Sequence, residues 1–205
     1  MLYQLRKRTE LEDIVYSLHL YFSGLSLRNT SKALSRFVQR SHTAIRDWIQ
    51  KYKPERLSYK KVMVSKFIID ETQLKVGSEY IWLWWVAIEP KDKEILSISI
   101  SKERNMFVVA ERFLSNLIKD YDKHPVSTDG GTWYPHQACR FLKLNHHIHT
   151  SFEKSIIERT MQYTKDRTKE CFDDYFPCRK KKCKLKHVQQ WLNLFVDYYN
   201  KEIIA

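Results

Sequence analysis

The sequence predicts an α/β protein, a mixed sheet sandwiched by helices, preceded by an N-terminal all-α domain with a helix-turn-helix pattern. Three observations carry this prediction. Helical periodicity fills residues 1–53, β-rich runs begin at Val64, and from Met106 onward helix and strand patterns alternate. A chain of 205 residues with 43% hydrophobic and 14% aromatic content can hold one full domain and a small accessory one, each with a packed core.

The first helix is marked by Leu11, Ile14, Val15, Leu18, Tyr21 and Phe22 at i, i+3, i+4, i+7 spacing and is closed by Gly24. Ser26 caps a second helix that runs through Ala33, Leu34 and Phe37. After Val38-Gln39-Arg40, Ser41 caps a third, whose apolar stripe is Ala44, Ile45, Trp48, Ile49 and Tyr52. The outward side chains of this third helix, His42, Thr43, Arg46, Gln50 and Lys51, suit base edges and phosphates. Charge is segregated in the same way. Residues 1–66 hold 14 Lys and Arg against 5 Asp and Glu, a net +9, leaving +3 of the total +12 for the remainder. Basicity concentrated in the first third points to a polyanionic partner bound through counterion release.

Pro54 ends the third helix, and residues 54–63 read as a basic linker. The strand runs VSKFIID, YIWLWWVAIE and EILSISIS follow, the middle one so apolar that it belongs in a sheet covered on both faces. Met106, Ala110, Phe113, Leu114, Leu117, Ile118 and Tyr121 mark an amphipathic helix. Next come a short strand PVSTD, a helix of about Thr132 to Leu142, and a short strand near His147. Lys154 to Tyr175 reads as a long helix with Ile157, Met161, Thr164, Thr168 and Phe172 inward. A final helix carries Val188, Trp191, Leu192, Phe195 and Tyr199. The order from Val64 is therefore βββαβαβα with a closing helix.

Several function classes are excluded. No window reaches the run of about 18 apolar residues that a membrane helix needs, and the N-terminus lacks a signal-peptide pattern. A soluble cytoplasmic protein with no membrane partner is expected. Four cysteines, Cys139, Cys171, Cys178 and Cys183, are too few for a disulfide scaffold and read as free thiols. Neither a Ser/His/Asp order nor a Cys with a convincing base demands a covalent mechanism, and the 12 tyrosines lack an Arg-His-Arg setting.

The carboxylates carry more information. Asp70 closes VSKFIID and Asp129 closes PVSTD before Gly130-Gly131, so both are expected at strand ends, facing a cleft; Glu158 lies in the first turns of the long helix. Packing explains neither aspartate. Hard divalent cations are held by such oxygen donors, and a pair about 4 Å apart activates the attacking oxygen and stabilises the leaving one in phosphoryl transfer. Turn-forming aspartates with a solvated glutamate are the ordinary alternative, and Glu71 and Glu153 are rival ligands.

In these motifs, FIIDET, STDGGTWY and SIIERTMQYTKDR, the sequence resembles the DDE transposases of bacterial and archaeal insertion sequences, specifically the insertion-sequence-six group and its archaeal members, over nearly its whole length. The resemblance implies a ribonuclease H-like catalytic domain over 64–205 and a DNA-binding domain over 1–53. It implies Asp70, Asp129 and Glu158 as the catalytic, metal-holding set, with separations of 59 and 29 residues, the second somewhat short for such enzymes. The family's basic residue seven positions after the glutamate is matched by Lys165. Two helical turns place Glu158, Gln162 and Lys165 on one face, with the ammonium able to meet a DNA phosphate and Arg167 close by as a further DNA contact. The implied reaction is nicking at transposon ends followed by attack of the freed 3′ hydroxyl on target DNA. It uses two Mg2+ ions, with Mn2+ a substitute, and no small-molecule cofactor. Double-stranded DNA, both ends and target, is the implied partner, bound by a homodimer or higher assembly in the prokaryotic nucleoid. A helix-turn-helix regulator, an inactive relic and a nuclease on the same fold are the alternatives.

Remaining signals are weaker. Cys171, Cys178, Cys183 and His187 lack the close Cys pair of structural zinc modules. His146, His147 and His149 suit polar strand ends or DNA contacts better than a metal. The RKKKCKLK patch, six basic residues in eight, is either a solvated loop or a backbone clamp. Trp133 and Tyr134 could stack on a splayed base or pack at a helix start; Trp133 is retained as a candidate DNA contact.

Overall fold

A computed structural model describes residues 9–53, 63–76, 79–102, 106–130, 133–172, 175–176 and 185–202, with backbone alone for 79–85, 106, 133–135, 169–172 and 175–176. Most of the linker and of the RKKKCKLK patch, with Cys178 and Cys183, therefore lie outside the described residues, as do the side chains of Trp133 and Cys171. The chain divides into two compact units, Met1–Pro54 and Glu55–Ala205.

The first unit is trihelical: α1 (Leu11–Phe22), α2 (Leu27–Leu34) and α3 (His42–Lys51). Its caps match the sequence. Ser26 Oγ accepts from Asn29 N and Ser41 Oγ from Ala44 N, each at 3.2 Å, satisfying donors the helix itself cannot pair. Gly24 follows α1 at φ 118°, a conformation that side chains other than glycine rarely adopt. Ile14, Leu18, Tyr21, Phe22, Leu34, Ile45, Trp48 and Ile49 make the core. Three expected core residues are exposed outright, Leu11 at 60%, Val15 at 45% and Phe37 at 74%, while Ala33, Ala44 and Tyr52 are half-buried. Phe37 lies beyond the end of α2, and its ring meets Tyr16 edge to face. Ser31 Oγ donates to Arg40 O at 2.6 Å and Arg40 Nε to Thr9 Oγ1 at 2.8 Å, tying down the turn into α3.

The second unit contains β1 (Phe67–Val76), β2 (Glu79–Ile88), β3 (Ile95–Ser101), α4 (Met106–Tyr121), β4 (Val126–Thr128), α5 (Trp133–Phe141), β5 (His146–Ile148), α6 (Ser151–Phe172), β6 (Tyr175–Phe176) and α7 (Leu185–Glu202). The sheet order is β3-β2-β1-β4-β5, antiparallel from β3 to β1 and parallel from β1 to β5, with β6 added to β1. This is the mixed sheet between helices that the sequence predicts. Two details differ. β1 runs on to Val76 instead of ending at Asp70, because β2 pairs along its whole length. The long helix stops at Phe172, and Tyr175–Phe176 instead join the sheet beside Lys75 and Val76.

Side chains alternate across β1, so Phe67 and Ile69 enter one core with Val109, Ala110, Phe113, Leu114 and Leu117 of α4 and Ala138 and Cys139 of α5. Burying that many large apolar side chains, at roughly 2 kcal/mol each, is what holds the layer to the sheet. The opposite face is covered by α6 and α7. There Tyr163 stacks on Phe195 with ring centres 6.0 Å apart, and Trp191 stacks on Phe195 at 5.7 Å. The inward threonines of α6 are satisfied locally, Thr160 Oγ1 donating to Ile156 O and Thr164 Oγ1 to Thr160 O. Strand β3 ends the sheet, and α7 covers its free edge: Asn200 pairs with both backbone groups of Ile95 at 2.9 and 3.0 Å, while Gln189 bonds Ile98 O and Ile100 N. Among the described residues, no helix is long and apolar enough to cross a membrane.

Candidate active site

The parallel register of β1 and β4 pairs Phe67 with Val126 and Ile68 with Ser127. Both pairs are offset by 59, the separation of Asp70 from Asp129. Continuing the register past the last pairing sets the two aspartates at the same level on neighbouring strands. Asp129 follows the end of β4, and the next residue, Gly130, turns the chain at φ 71°. A Cβ on Gly130 would stand 3.0 Å from Ile148 Cγ1, which is exposed enough to give way, so it is the left-handed backbone conformation that favours glycine there.

Asp70 is not at a strand end, yet it is presented as one would be. The β1–β2 register shifts between Asp70 and Glu71, a bulge that twists the strand locally and re-aims its side chains. On its other side, β1 leaves β4 after Ile68 and does not meet β6 until Lys75. Asp70 thus borders a gap in the sheet, on the face that α6 crosses. An open cleft of about 470 Å³ is lined there by Asp70, Glu158, Arg159, Met161, Gln162 and Lys165. Glu158, Gln162 and Lys165 share one side of α6, as their spacing requires.

Electrostatics mark Asp70 as the strained member. Burial pushes its carboxyl above the usual range; Asp129 and Glu158 push it further, against the Glu71 N–H that donates to Oδ1 at 2.9 Å and the nearby Lys165 ammonium. Glu158 is 61% exposed on its side chain and stands 3.8 Å from Lys154 Nζ one turn back, a weak surface pair. Three carboxylates therefore share one field without drawing together. Among the described residues, no group of three His, Cys, Asp or Glu side chains converges closely enough to hold a metal ion. Oxygen-only donors, one on a strand, one just past a strand end and one on a helix, fit the chemistry of a hard divalent cation.

The rival ligand Glu153 has another occupation. Buried to 2%, it takes Lys66 Nζ at 2.7 Å and the Thr150 N–H at 2.8 Å, with His147 Nε2 3.2 and 3.3 Å from its oxygens. Burial alone would raise its carboxyl; the Lys66, Thr150 and His147 donors outweigh that and hold it down at about 2. Thr150 Oγ1 in turn accepts from Glu153 N, completing a reciprocal cap on α6. The three clustered histidines serve as polar ties across strand ends: His146 Nε2 lies 2.9 Å from Thr128 Oγ1 and His149 Nδ1 3.0 Å from Ser127 Oγ. Burial first, then the neighbouring imidazoles of His136, His147 and His149, lower the His146 imidazole below its ordinary range. Cys139 is buried, its thiol pushed up to about 12, and so is inert.

Of the DNA contacts expected on this unit, Lys165 is exposed on the cleft, whereas Arg167 is 6% exposed and turned toward the interior beside Thr164 and Thr168. Two helical residues after Lys165 is more than half a turn, which carries Arg167 to the buried side. Arg159, not anticipated, lines the cleft; its place next to the glutamate in SIIERT was the available signal. In the first unit, His42, Thr43, Arg46, Gln50 and Lys51 are all exposed along α3, with Arg46 and Lys51 each 3.8 Å from Asp47.

A family model described as DDE domain matches residues 64–193. An uncharacterized protein of Methanocaldococcus jannaschii is 34% identical over 196 residues, covering 95% of this chain and 88% of that one. Among solved structures, the catalytic core domain of BIV integrase is 18% identical, with a TM-score of 0.48, covering 68% of this chain and 86% of that one. The HTLV-2 integrase catalytic core domain in complex with magnesium is also 18% identical, with a TM-score of 0.42 over 62% and 83% of the two chains. With its DDE domain spanning most of the second unit, this chain belongs to the DDE transposase family, whose chemistry is DNA transposition.

Proposed function

We propose that the protein binds the ends of an insertion sequence and catalyses divalent-metal-dependent strand cleavage, followed by transfer of the freed 3′ hydroxyl into target DNA. The observation that carries this reading is the shared field of Asp70, Asp129 and Glu158 beside a cleft that also holds Lys165. Asp70, Asp129 and Glu158 would hold two Mg2+ ions, or Mn2+ in their place, which when bound activate the attacking oxygen and stabilise the leaving one. Lys165, two turns beyond Glu158, places an ammonium where a scissile-strand phosphate would lie, countering charge that the carboxylates repel. Asp70 lies on β1 and Asp129 directly after the end of β4, and the pairing of those strands at Phe67–Val126 and Ile68–Ser127 anchors the backbone two residues before each aspartate. Catalysis by positioning needs that rigidity.

The exposed face of α3 is the end-recognition surface in this reading, with His42, Thr43, Arg46, Gln50 and Lys51 toward the groove. Bringing two ends together calls for a dimer or larger assembly. Removing one cation that binds a phosphate should make the slope of log affinity against log salt shallower by about 0.9. Arg46→Ala is expected to weaken end binding in this way, and an unchanged slope in a salt titration would remove Arg46 from the interface.

The deciding assay uses labelled DNA carrying the element's own ends with Mg2+ or Mn2+, comparing wild type with Asp129→Ala. Metal-dependent cleavage and strand transfer, lost in the variant while end binding persists, is the expected result. End binding with no cleavage by the wild type would sink the enzymatic reading, and hydrolysis without transfer would reduce it to a nuclease.

A further inference from the structure

We infer that Glu153 is a positioning residue for this site: its buried carboxylate ties together the elements that carry Asp70, Asp129 and Glu158. The inference rests on the proposed metal-holding role of those residues. Glu153 belongs to α6, the helix of Glu158. Through Lys66 Nζ at 2.7 Å it grips the residue that leads into β1, the strand of Asp70. Through His147, 3.2 Å away, it reaches β5, where His147 pairs with Ser127, two residues before Asp129. Local packing would need only the cap to Thr150; the Lys66 and His147 interactions span 87 and 6 residues of sequence and meet at Oε1.

The consequence is mechanical. Glu158 is exposed on a helix, and it can face Asp70 only if the helix keeps its angle and its position along β1. A surface pair such as Lys154–Glu158 cannot fix that angle. A buried carboxylate paired with a partly buried lysine at the helix start can, because moving it would strip that carboxylate of its donors away from water. Both oxygens of Glu153 are already engaged by these partners, which is what makes it a clamp.

The test is Mn2+ binding by the full-length protein without DNA, read by electron paramagnetic resonance of the free ion. Glu153→Gln keeps an acceptor for the Thr150 N–H but loses the charge that holds Lys66. It is expected to fold, as judged by circular dichroism, and to bind Mn2+ about tenfold more weakly or worse, the range typical of groups supporting metal ligands. Lys66→Met, which leaves the helix cap intact, should weaken binding similarly, and the double variant should be no worse than the weaker single one. Folded variants with a lowered melting temperature but wild-type Mn2+ affinity would overturn the inference and leave Glu153 a stabilising residue only. If wild type itself has no Mn2+ affinity that Asp129→Ala removes, the reading of the site fails, and the clamp fails with it.

Discussion

Two kinds of carboxylate stand within the second unit, and their surroundings are opposite. Glu89 is fully buried and accepts from Ser65 Oγ and Lys91 N at 2.7 Å, Asp92 N at 3.0 Å and Ser65 N at 3.4 Å. Burial works against its charge, but those donors hold its carboxyl below the usual range, as Lys66, Thr150 and His147 do for Glu153. Asp70 is half-buried and meets two further carboxylates, with its own carboxyl pushed up by burial first. A carboxylate that serves the fold comes with its donors built in. One left among like charges destabilises the folded chain and is retained for something that arrives later, which a divalent cation would be.

The contrast can be broken in three places, in descending size of effect. Asp70→Ala, Asp129→Ala and Glu158→Ala are each expected to lower strand cleavage by about a thousandfold or more, roughly 4 kcal/mol, while end binding persists in a mobility-shift assay. Wild-type cleavage in any of them would move that residue out of the site. Glu153 should produce a loss of stability in acid. Its folded carboxyl lies near 2 against an ordinary 4.5, so its stabilisation is complete above the unfolded value and disappears as pH falls from about 4.5 toward 2. Glu153→Gln should therefore be less stable at neutral pH by roughly 2–3 kcal/mol and lose less on acidification than wild type; parallel denaturation curves across that window would contradict the assignment.

The smallest effect has the opposite sign. Because the folded carboxyl of Asp70 is raised, its contribution to stability is full below the unfolded value and is lost as pH rises through the folded one. Asp70→Asn cannot ionise and can still accept from the Glu71 N–H. At neutral pH and without metal its melting temperature should exceed wild type by about 2–4 °C. Added Mn2+ should raise the wild-type value and leave the variant unmoved. A variant less stable than wild type would mean that Asp70 is held by donors after all.

Much of the fold was legible because periodicity survives in single segments. The caps Ser26 and Ser41, the stripe of α4 and the inward set of α7 all follow from local spacing. Local spacing also misled where a partner decides the outcome. VSKFIID reads as ending at Asp70, but β2 carries the strand through Val76. Leu11 and Val15 continue an apolar stripe, yet both stay largely exposed. The Thr150-x-x-Glu153 spacing is a capping box readable in the sequence, though Lys66, 87 residues away, is not.

By itself the sequence determined most of the element types and the basic first third, and it singled out Asp70, Asp129 and Glu158 as candidates, because these depend on neighbours within a few residues or on matched motifs. Only the tertiary structure decided that the interval of 59 residues matches the register of the paired strands, that Asp70 borders a bulge and a gap in the sheet, and that Glu153 is engaged while Asp70 is crowded. Register, burial and charge proximity are properties of pairs brought together from distant parts of the chain. No single stretch of sequence contains both members.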